Sequence, residues 1–348
     1  MNLDDLMKKE SEWLKGKGPK ANIVISSRVR LARNISGMSF FNRAPQQDKK
    51  KALDMSQDAI AGSKTLKNGM FVTMKSVTDL DRQFLVERHL MSPEHTNDPE
   101  NKALYVDEHE VVSIMVNEED HLRMQVMQSG FNLMEAWNLI DRIDNDLSDR
   151  LPFAFSPRTG YLTACPTNTG TGLRGSVMLH LPALVMTNQM GNLFQAVSKL
   201  GLTFRGFYGE GTDAAGDFFQ ISNQVSLGYS EMDLLDNIQR VINKIITRES
   251  STRALMMTKS RDELEDKIAR AMGILKSAVI ISSNEAISLL SLIRLGIDMG
   301  IVKNMTMKDI NELFILIQPA HLQKADGKIL SPQERDHKRA ELVKSRLK

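Results

Sequence analysis

The sequence predicts an α+β chain in two parts, a mixed strand-and-helix domain followed by a smaller domain of helices alone. Three observations carry that expectation. With 348 residues the chain is long enough for two cores, or for one large α/β domain with a helical extension. Up to about residue 250, short runs with strand character alternate with amphipathic helical segments, and beyond Ser250 the clear period is the helical one. Hydrophobic content of 41% and charged content of 25% are those of an ordinary globular enzyme. The net charge of +2 supplies no field for nucleic acid or an anionic membrane, so neither is expected as a partner. The start, MNLDDLMKKESEW, lacks the apolar core of a signal peptide, and no run reaches the roughly 18 apolar residues of a membrane span, so a cytoplasmic location is expected. Cys165 is the lone cysteine, which leaves no internal disulfide and no cysteine-built zinc cage. The 21 methionines read as adaptable core filling.

In chain order, residues 1–21 form an N-terminal extension, a short amphipathic helix broken at Gly16, Gly18 and Pro19. A strand from Ile23 to Ile25 runs into Ser26-Ser27-Arg28-Val29-Arg30, where an extended backbone puts Arg28 and Arg30 on one face. Two like charges there repel unless an anion lies between them, and arginine gives planar, multi-donor contacts to phosphate oxygens. A helix is expected over Asp48 to Ile60, a strand over Phe71 to Val77, and a helix over Leu80 to Leu90 that carries His89 and ends before Ser92-Pro93. Next comes the stretch Val111 to Arg123, VVSIMVNEEDHLR. Its apolar run stops at Asn117 and delivers Glu118, Glu119, Asp120, His121 and Arg123 within seven residues. Adjacent acids are costly to hold together unless something cationic is bound, so the cluster is a candidate site. Gln125 to Leu147 reads as a long helix interrupted at Gly130.

Leu151 to Leu184 is rich in loop residues. Gly170, Gly172 and Gly175 satisfy G-x-G-x-x-G formally, but a loop precedes them and a strand, Ser176 to Leu181, follows, which is not the strand-then-helix setting of a dinucleotide fold. A helix over Val185 to Leu200 leads to a third charged loop, Phe204-Arg205-Gly206-Phe207-Tyr208-Gly209-Glu210, whose glycines let backbone approach a ligand. A strand over Phe218 to Leu227 and a capped helix after Ser230 complete a domain over residues 22–250. Four helices over Arg261 to Ser277, Asn284 to Met299, Met307 to Ile317 and Pro332 to Leu347 make a second domain over 251–348, with capping-box patterns at Ser282 and Ser331.

The charged loops together supply arginines at 28, 30, 123, 174 and 205, glutamates at 119 and 210, and Cys165. That many arginines suit a nucleoside triphosphate and the spread charge of a phosphoryl group in transfer. There is no Walker A lysine loop and no ordered kinase signature. A guanidinium acceptor has a pKa above about 12, so it must be held as a cation and relieved of a proton as it attacks, work that paired carboxylates can do.

SSRVRLARN, NEEDHLR, CPTNTGTGLRGSV and RGFYGEGTD, in that order and spacing, resemble the catalytic domain of the guanidino (phosphagen) kinase family over roughly residues 22–250. The resemblance implies a large antiparallel sheet flanked by helices. It implies ATP, with Mg2+ carried by the nucleotide and no metal ligands from the chain. By the same resemblance ATP is held at Ser27, Arg28, Val29, Arg30, His89, Arg123, Arg174, Gly175, Ser176, Val177, Met178, Arg205, Gly206, Phe207, Tyr208 and Gly209. Glu119 would be the principal base, Glu210 the second guanidinium clamp, and Cys165 an orienting thiolate.

Members that act on small guanidines carry a helical domain ahead of the first arginine strand. Here only a short segment precedes Ser26, so a more open acceptor site is expected. The arrangement is similar to the bacterial branch that phosphorylates arginine side chains of proteins and marks them for a Clp-type protease. Near the C-terminus, Arg335, Asp336, Arg339 and Ala340 resemble that branch's phosphoarginine pocket, a regulatory site. Protein substrates with accessible arginines, an activator protein, a Clp-type protease or unfoldase, and a homodimer are the partners this implies. Two alternatives stay open: a kinase for free arginine or another small guanidine, and a phosphoarginine-binding adaptor with a vestigial kinase site.

Overall fold

The computed structural model describes residues 3–206 and 215–347, so Phe207, Tyr208, Gly209 and Glu210 lie outside the described residues. Its centre is an eight-stranded sheet in the order β2-β3-β4-β5-β1-β8-β10-β9. The strands are β1 Val24–Arg33, β2 Gly69–Thr73, β3 Ala103–Asp107, β4 Val112–Val116, β5 Leu122–Ser129, β8 Leu173–His180, β9 Leu202–Gly206 and β10 Phe218–Asn223, with β6 Phe155–Ser156 and β7 Gly160–Tyr161 pairing separately. Every pairing in it is antiparallel, as the resemblance implies. The long helix expected over Gln125 to Leu147 is two elements. β5 comes first, and α4 Leu133–Ser148 begins only after Gly130, whose φ of +66° closes the strand. β5 alternates, Leu122, Met124 and Val126 toward one core and Arg123 and Gln125 away from it, which is a period of two. β3, buried on both faces except at its end, was not anticipated.

The remaining helices are α1 Leu3–Lys8, α2 Gln46–Gly62, α3 Asp79–Glu87, α5 Pro182–Met186, α6 Met190–Lys199, α7 Glu231–Lys259, α8 Arg261–Ser277, α9 Ser283–Asp298, α10 Met307–Leu316, α11 Pro319–Asp326 and α12 Pro332–Arg346. One face of the sheet is fully covered. Val29, Leu31, Met124, Val126, Val177 and Ile221 pack there against the apolar sides of α2, α4, α6 and α7. Fully burying each such side chain stabilises the fold by about 1.5–3 kcal/mol.

The opposite face is covered only at two places. Ile25, Met127, Met178 and Phe218 meet Trp13, Leu14 and the helices α8 to α10 and α12. Met70, Leu104, Val106 and Met115 meet Phe84 and Leu85 of α3, Leu6 of α1 and Ala320 of α11. The C-terminal helices therefore fold back onto the same sheet face that bears Arg28 and Arg30. Their seam with the sheet is polar as well. Buried Arg294 donates to Ala21 O at 2.7 Å, to Asn22 O at 2.8 Å and to Asn311 Oδ1 at 3.1 Å, and its Nη1 lies 2.9 Å from Nδ1 of His180. Arg253 of α7 bonds Glu249 at 2.8 Å and Asp298 of α9 at 2.5 Å. Removing one partner of such a buried set costs about 3–5 kcal/mol, since the other is left desolvated.

Candidate active site

The register decides what the open part of the sheet presents. Arg28 sits opposite Met127 and Ser176, Arg30 opposite Gln125 and Arg174, Met115 opposite Arg123, and Gln220 opposite Arg205. Directly paired residues in an antiparallel ladder share a face, so Arg28, Arg30, Arg123, Arg174 and Arg205 form a cationic strip between the two covered ends. Ser27, Val29, Gly175 and Val177 point the other way. Ser27 donates to Gly130 O at 2.8 Å, Val29 and Val177 belong to the helix-covered core, and a Cβ on Gly175 would come 2.9 Å from Ile238. Met178 is on the strip's face but packs against Trp13. Gly206 ends β9 opposite Phe219.

The strip is held by neutral partners. Arg28 Nε donates to Ser176 Oγ at 3.4 Å, Nη1 to Gln125 Oε1 at 3.5 Å and Nη2 to Gln220 Oε1 at 3.2 Å. Arg174 Nη2 donates to Ser222 Oγ at 3.1 Å. Among the described residues no carboxylate pairs with Arg28, Arg30 or Arg174, and the buried Nε atoms of Arg30 and Arg174 have no hydrogen-bond partner. Burial first, then the neighbouring guanidiniums, lowers Arg28 to about 10 and Arg30 well below the usual arginine value. The strip is thus a partly desolvated set of arginines with no carboxylate partner of its own among the described residues at 28, 30 and 174, an arrangement that suits an anion.

A cavity of about 430 Å³ opens over its Arg28, Arg30 and Arg123 part, lined also by His89, Gln125 and Gln318; Arg174, Arg205, Glu119 and Cys165 are not in its lining. His89 follows α3 in a left-handed conformation, φ +60°, and its carbonyl accepts from Gln125 Nε2 at 2.8 Å. Burial, then the charges of Arg28 and His321, lowers its imidazole to about 3, so it is neutral.

The acidic cluster is the hairpin between β4 and β5, closed by Asn117 N donating to His121 O at 2.9 Å, with Asn117 at φ +61°. Its acids divide by role. Glu118 accepts from Arg123 Nη1 at 2.7 Å and from Ser92 Oγ at 2.6 Å. Burial opposes ionisation of Glu118, but Arg123 and these bonds overcome it and hold the carboxyl near 2. Asp120 Oδ1 accepts from Asn34 Nδ2 at 2.6 Å and from Ala164 N at 2.7 Å, tying the hairpin to the segment that leads into Cys165. His121 Nδ1 accepts from Ile35 N at 3.0 Å. Glu119 is half-buried, and burial, then Asp120 and Glu118, raises its carboxyl above the usual range. The Cys165 thiol lies 3.0 Å from Thr167 Oγ1 in a loop pinned by Ser226 Oγ donating to Thr169 O at 3.0 Å.

Gln125, Gln220, Ser92 and Ser222 were missed by sequence reasoning. Two-residue alternation from Arg123 would have found Gln125. The C-terminal motif lies on α12, away from the strip. Arg339 is buried, donating to Ile317 O at 2.9 Å, Ile281 O at 2.8 Å and Asp336 Oδ1 at 2.5 Å, with Ala340 buried beside it and Arg335 half-exposed.

Comparison with known proteins agrees with this fold. Residues 51–252 match the family described as ATP:guanido phosphotransferase, C-terminal catalytic domain. Residues 261–348 match the protein-arginine kinase McsB C-terminal domain. The protein-arginine kinase of Halothermothrix orenii is 46% identical over 348 residues, 100% of this chain and 99% of that protein. That of Symbiobacterium thermophilum is 48% identical over 344 residues, 97% of each. Among solved structures, lombricine kinase superposes with a TM-score of 0.61 at 26% identity, covering 75% of this chain and 78% of that one. A duplicated taurocyamine kinase from Schistosoma mansoni with bound transition-state-analogue components gives 0.60 at 28% identity, over 72% of this chain and 36% of that one.

Proposed function

This chain belongs to the protein-arginine kinases, a branch of the ATP:guanido phosphotransferases, and from that premise we propose how its residues divide the work of phosphorylating arginine side chains in proteins. The observation that carries the reading is the cationic strip of Arg28, Arg30 and Arg174, half-buried and without carboxylate partners among the described residues, on the sheet whose β4–β5 hairpin carries Glu119, a carboxyl with no hydrogen bond among those residues. A triphosphate fits that strip: its oxygens would take the donors of Arg28, Arg30, Arg174 and Arg205, and the N–H groups of Arg123 that Glu118 does not use. Mg2+ would arrive with the nucleotide and offset phosphate charge. Ser27, Val29, Gly175 and Val177 could meet ATP only through backbone, since their side chains face the helix-covered core.

In the step itself a guanidinium nitrogen of the substrate arginine attacks the γ-phosphorus. The N–P bond forms as the bond to the β,γ-bridging oxygen breaks, ADP leaves, and the displaced proton passes to Glu119. A carboxyl raised above its usual range is a better proton acceptor than an ordinary one. Cys165, and Glu210 of the loop outside the described residues, would orient the planar guanidinium. Phosphoarginine binding at Arg335, Asp336, Arg339 and Ala340 would regulate turnover. The marking of substrates for a Clp-type protease in a stress response, an activator protein, a homodimer and a cytoplasmic location belong to the same reading. Among the described residues no helix is long and apolar enough to cross a membrane.

The test is transfer of labelled γ-phosphate from Mg-ATP to a loosely folded, arginine-containing protein in competition with free arginine. Label on protein that survives alkali and is lost in acid supports a phosphorus-nitrogen bond on arginine side chains. Label confined to free arginine would make this a small-guanidine kinase instead.

A further inference from the structure

Glu87, the last residue of α3, lines the nucleotide cavity but aims its carboxylate at the C-terminal helices. Oε1 accepts from Ala320 N at 2.7 Å, and Oε2 accepts from His321 N at 3.0 Å and from His321 Nδ1 at 2.7 Å. It thus satisfies backbone donors in the first turn of α11 and fixes the neutral tautomer of His321 with its proton on Nδ1. His321 is buried against Phe84 of α3, ring centroids 4.5 Å apart, and its Nε2 has no partner among the described residues. The imidazole therefore has one polar attachment, and that attachment is Glu87.

The consequence lies two residues on. The chain turns at Arg88 and places His89 left-handed, where its carbonyl holds Gln125 and Gln125 in turn stands at Arg28 Nη1. On the other side, Gln318 precedes α11 and lines the same cavity, and Ile317 O is the acceptor for Arg339 of α12. Hydrogen bonds joined by two short backbone segments, 317–320 and 87–89, therefore lead from α12 through the start of α11 and Glu87 to the arginine that the proposed nucleotide would meet. A positively twisted residue such as His89 persists only where its surroundings over-determine it.

We propose that Glu87, through His321 and the start of α11, is a positioning residue that sets nucleotide affinity by holding the His89 wall of the cavity in place. The proposal rests on the reading of the strip as the ATP site. Glu87 itself reaches no reacting atom. Its carboxylate makes three charge-assisted contacts that no neutral residue reproduces in full. Glu87→Gln keeps the volume and one oxygen but presents an amide N–H to a donor.

The experiment is titration of the full-length protein with Mg-ATP by calorimetry, with no acceptor present, alongside KM and kcat for protein phosphorylation. For Glu87→Gln we expect Kd and KM for Mg-ATP to rise about tenfold, on the scale of one lost charged contact. We expect kcat at saturating nucleotide to fall by no more than about twofold, because the reacting groups are untouched. His321→Asn, whose side-chain N–H replaces Nδ1–H, should stay within about threefold of the wild-type affinity, and His321→Leu should match Glu87→Gln. Unchanged Mg-ATP affinity in Glu87→Gln, or a fall in kcat with Kd unaltered, overturns the proposal. If the unsubstituted protein failed to bind Mg-ATP, the reading of the strip itself would fall, an outcome distinguishable from the first.

Discussion

Arg123 holds Glu118 through a single nitrogen: Nη1 donates to both carboxylate oxygens, at 2.7 and 2.8 Å. The pairing separates two adjacent glutamates by function. Glu118 becomes a fixed anion that aims Arg123 at the cavity, and Glu119 is left half-buried with no carboxylate hydrogen bond among the described residues.

Glu119→Gln should lower kcat by about 10²–10⁴, the usual worth of a positioned base, and leave Mg-ATP affinity within about twofold. Its thermal midpoint should be no lower than that of the parent, because a carboxyl whose folded pKa is raised opposes folding once ionised. The same direction places the acid limb of the parent's rate profile above the ordinary carboxylate range, with activity rising as pH rises through it. Near-normal turnover in the variant would remove Glu119 from the chemistry.

For Glu118 the sign is opposite. Its folded value near 2 lies below the ordinary 4.5, so the stability it contributes is present above 4.5 and is lost as pH falls through the window from 4.5 to 2. At neutral pH the pair is worth at most about 3 kcal/mol. Chemical denaturation of Glu118→Gln across that window should show a flatter acid dependence than the parent; identical curves would contradict the assignment.

Arg30 is a cost to the fold, with its Nε buried and unpartnered among the described residues and its guanidinium partly desolvated beside Arg28. Arg30→Met should raise the melting temperature by a few degrees, since replacing a half-buried charge that has no carboxylate partner among the described residues with an apolar chain removes a desolvation cost of about 1 kcal/mol. It should also abolish the upward shift that Mg-ATP gives the parent, about 2.7 kcal/mol at a hundredfold excess over Kd. Thermal scans with and without nucleotide decide both halves, and a variant still stabilised by Mg-ATP would show that the strip is not the phosphate site.

The two arginines of the α12 motif, Arg335 and Arg339, should not behave alike. Arg335 is half-exposed, so Arg335→Ala should weaken activation by added phosphoarginine at least about fivefold, on the scale of a lost charged hydrogen bond, while turnover without it persists. Arg339 bonds the carbonyls of Ile281 and Ile317, so Arg339→Ala should also cost about 2 kcal/mol of stability. An unchanged phosphoarginine response in Arg335→Ala takes the motif out of regulation.

What the sequence made legible was local. Arg28 and Arg30 share a face because a strand has a period of two, and the stop at Asn117 is visible as the end of an apolar run. β5 was misread because Met124, Met127 and Gln125 suit a helix as readily as a strand, and only pairing with β1 and β4 settles the period. Glu87 and Gln125 escaped notice because each works through a partner far away in the chain, His321 and Arg28, which no short window contains. That the C-terminal helices cover the arginine-bearing face was equally invisible, since helical periodicity tells that a side is apolar and not what it lies against.

Trp13 gives the chain an optical reporter of its own. The protein has two tryptophans. Trp13 is buried with its ring edge-on to His89, centroids 5.2 Å apart, while Trp137 sits on α4 beneath the opposite sheet face. With Trp137 replaced by Phe, the remaining emission comes from an indole in contact with His89 in the wall of the proposed nucleotide cavity. If Mg-ATP fills that cavity, the emission of Trp13 should change with it, a signal read in real time by light alone, with no dye attached and no acceptor consumed.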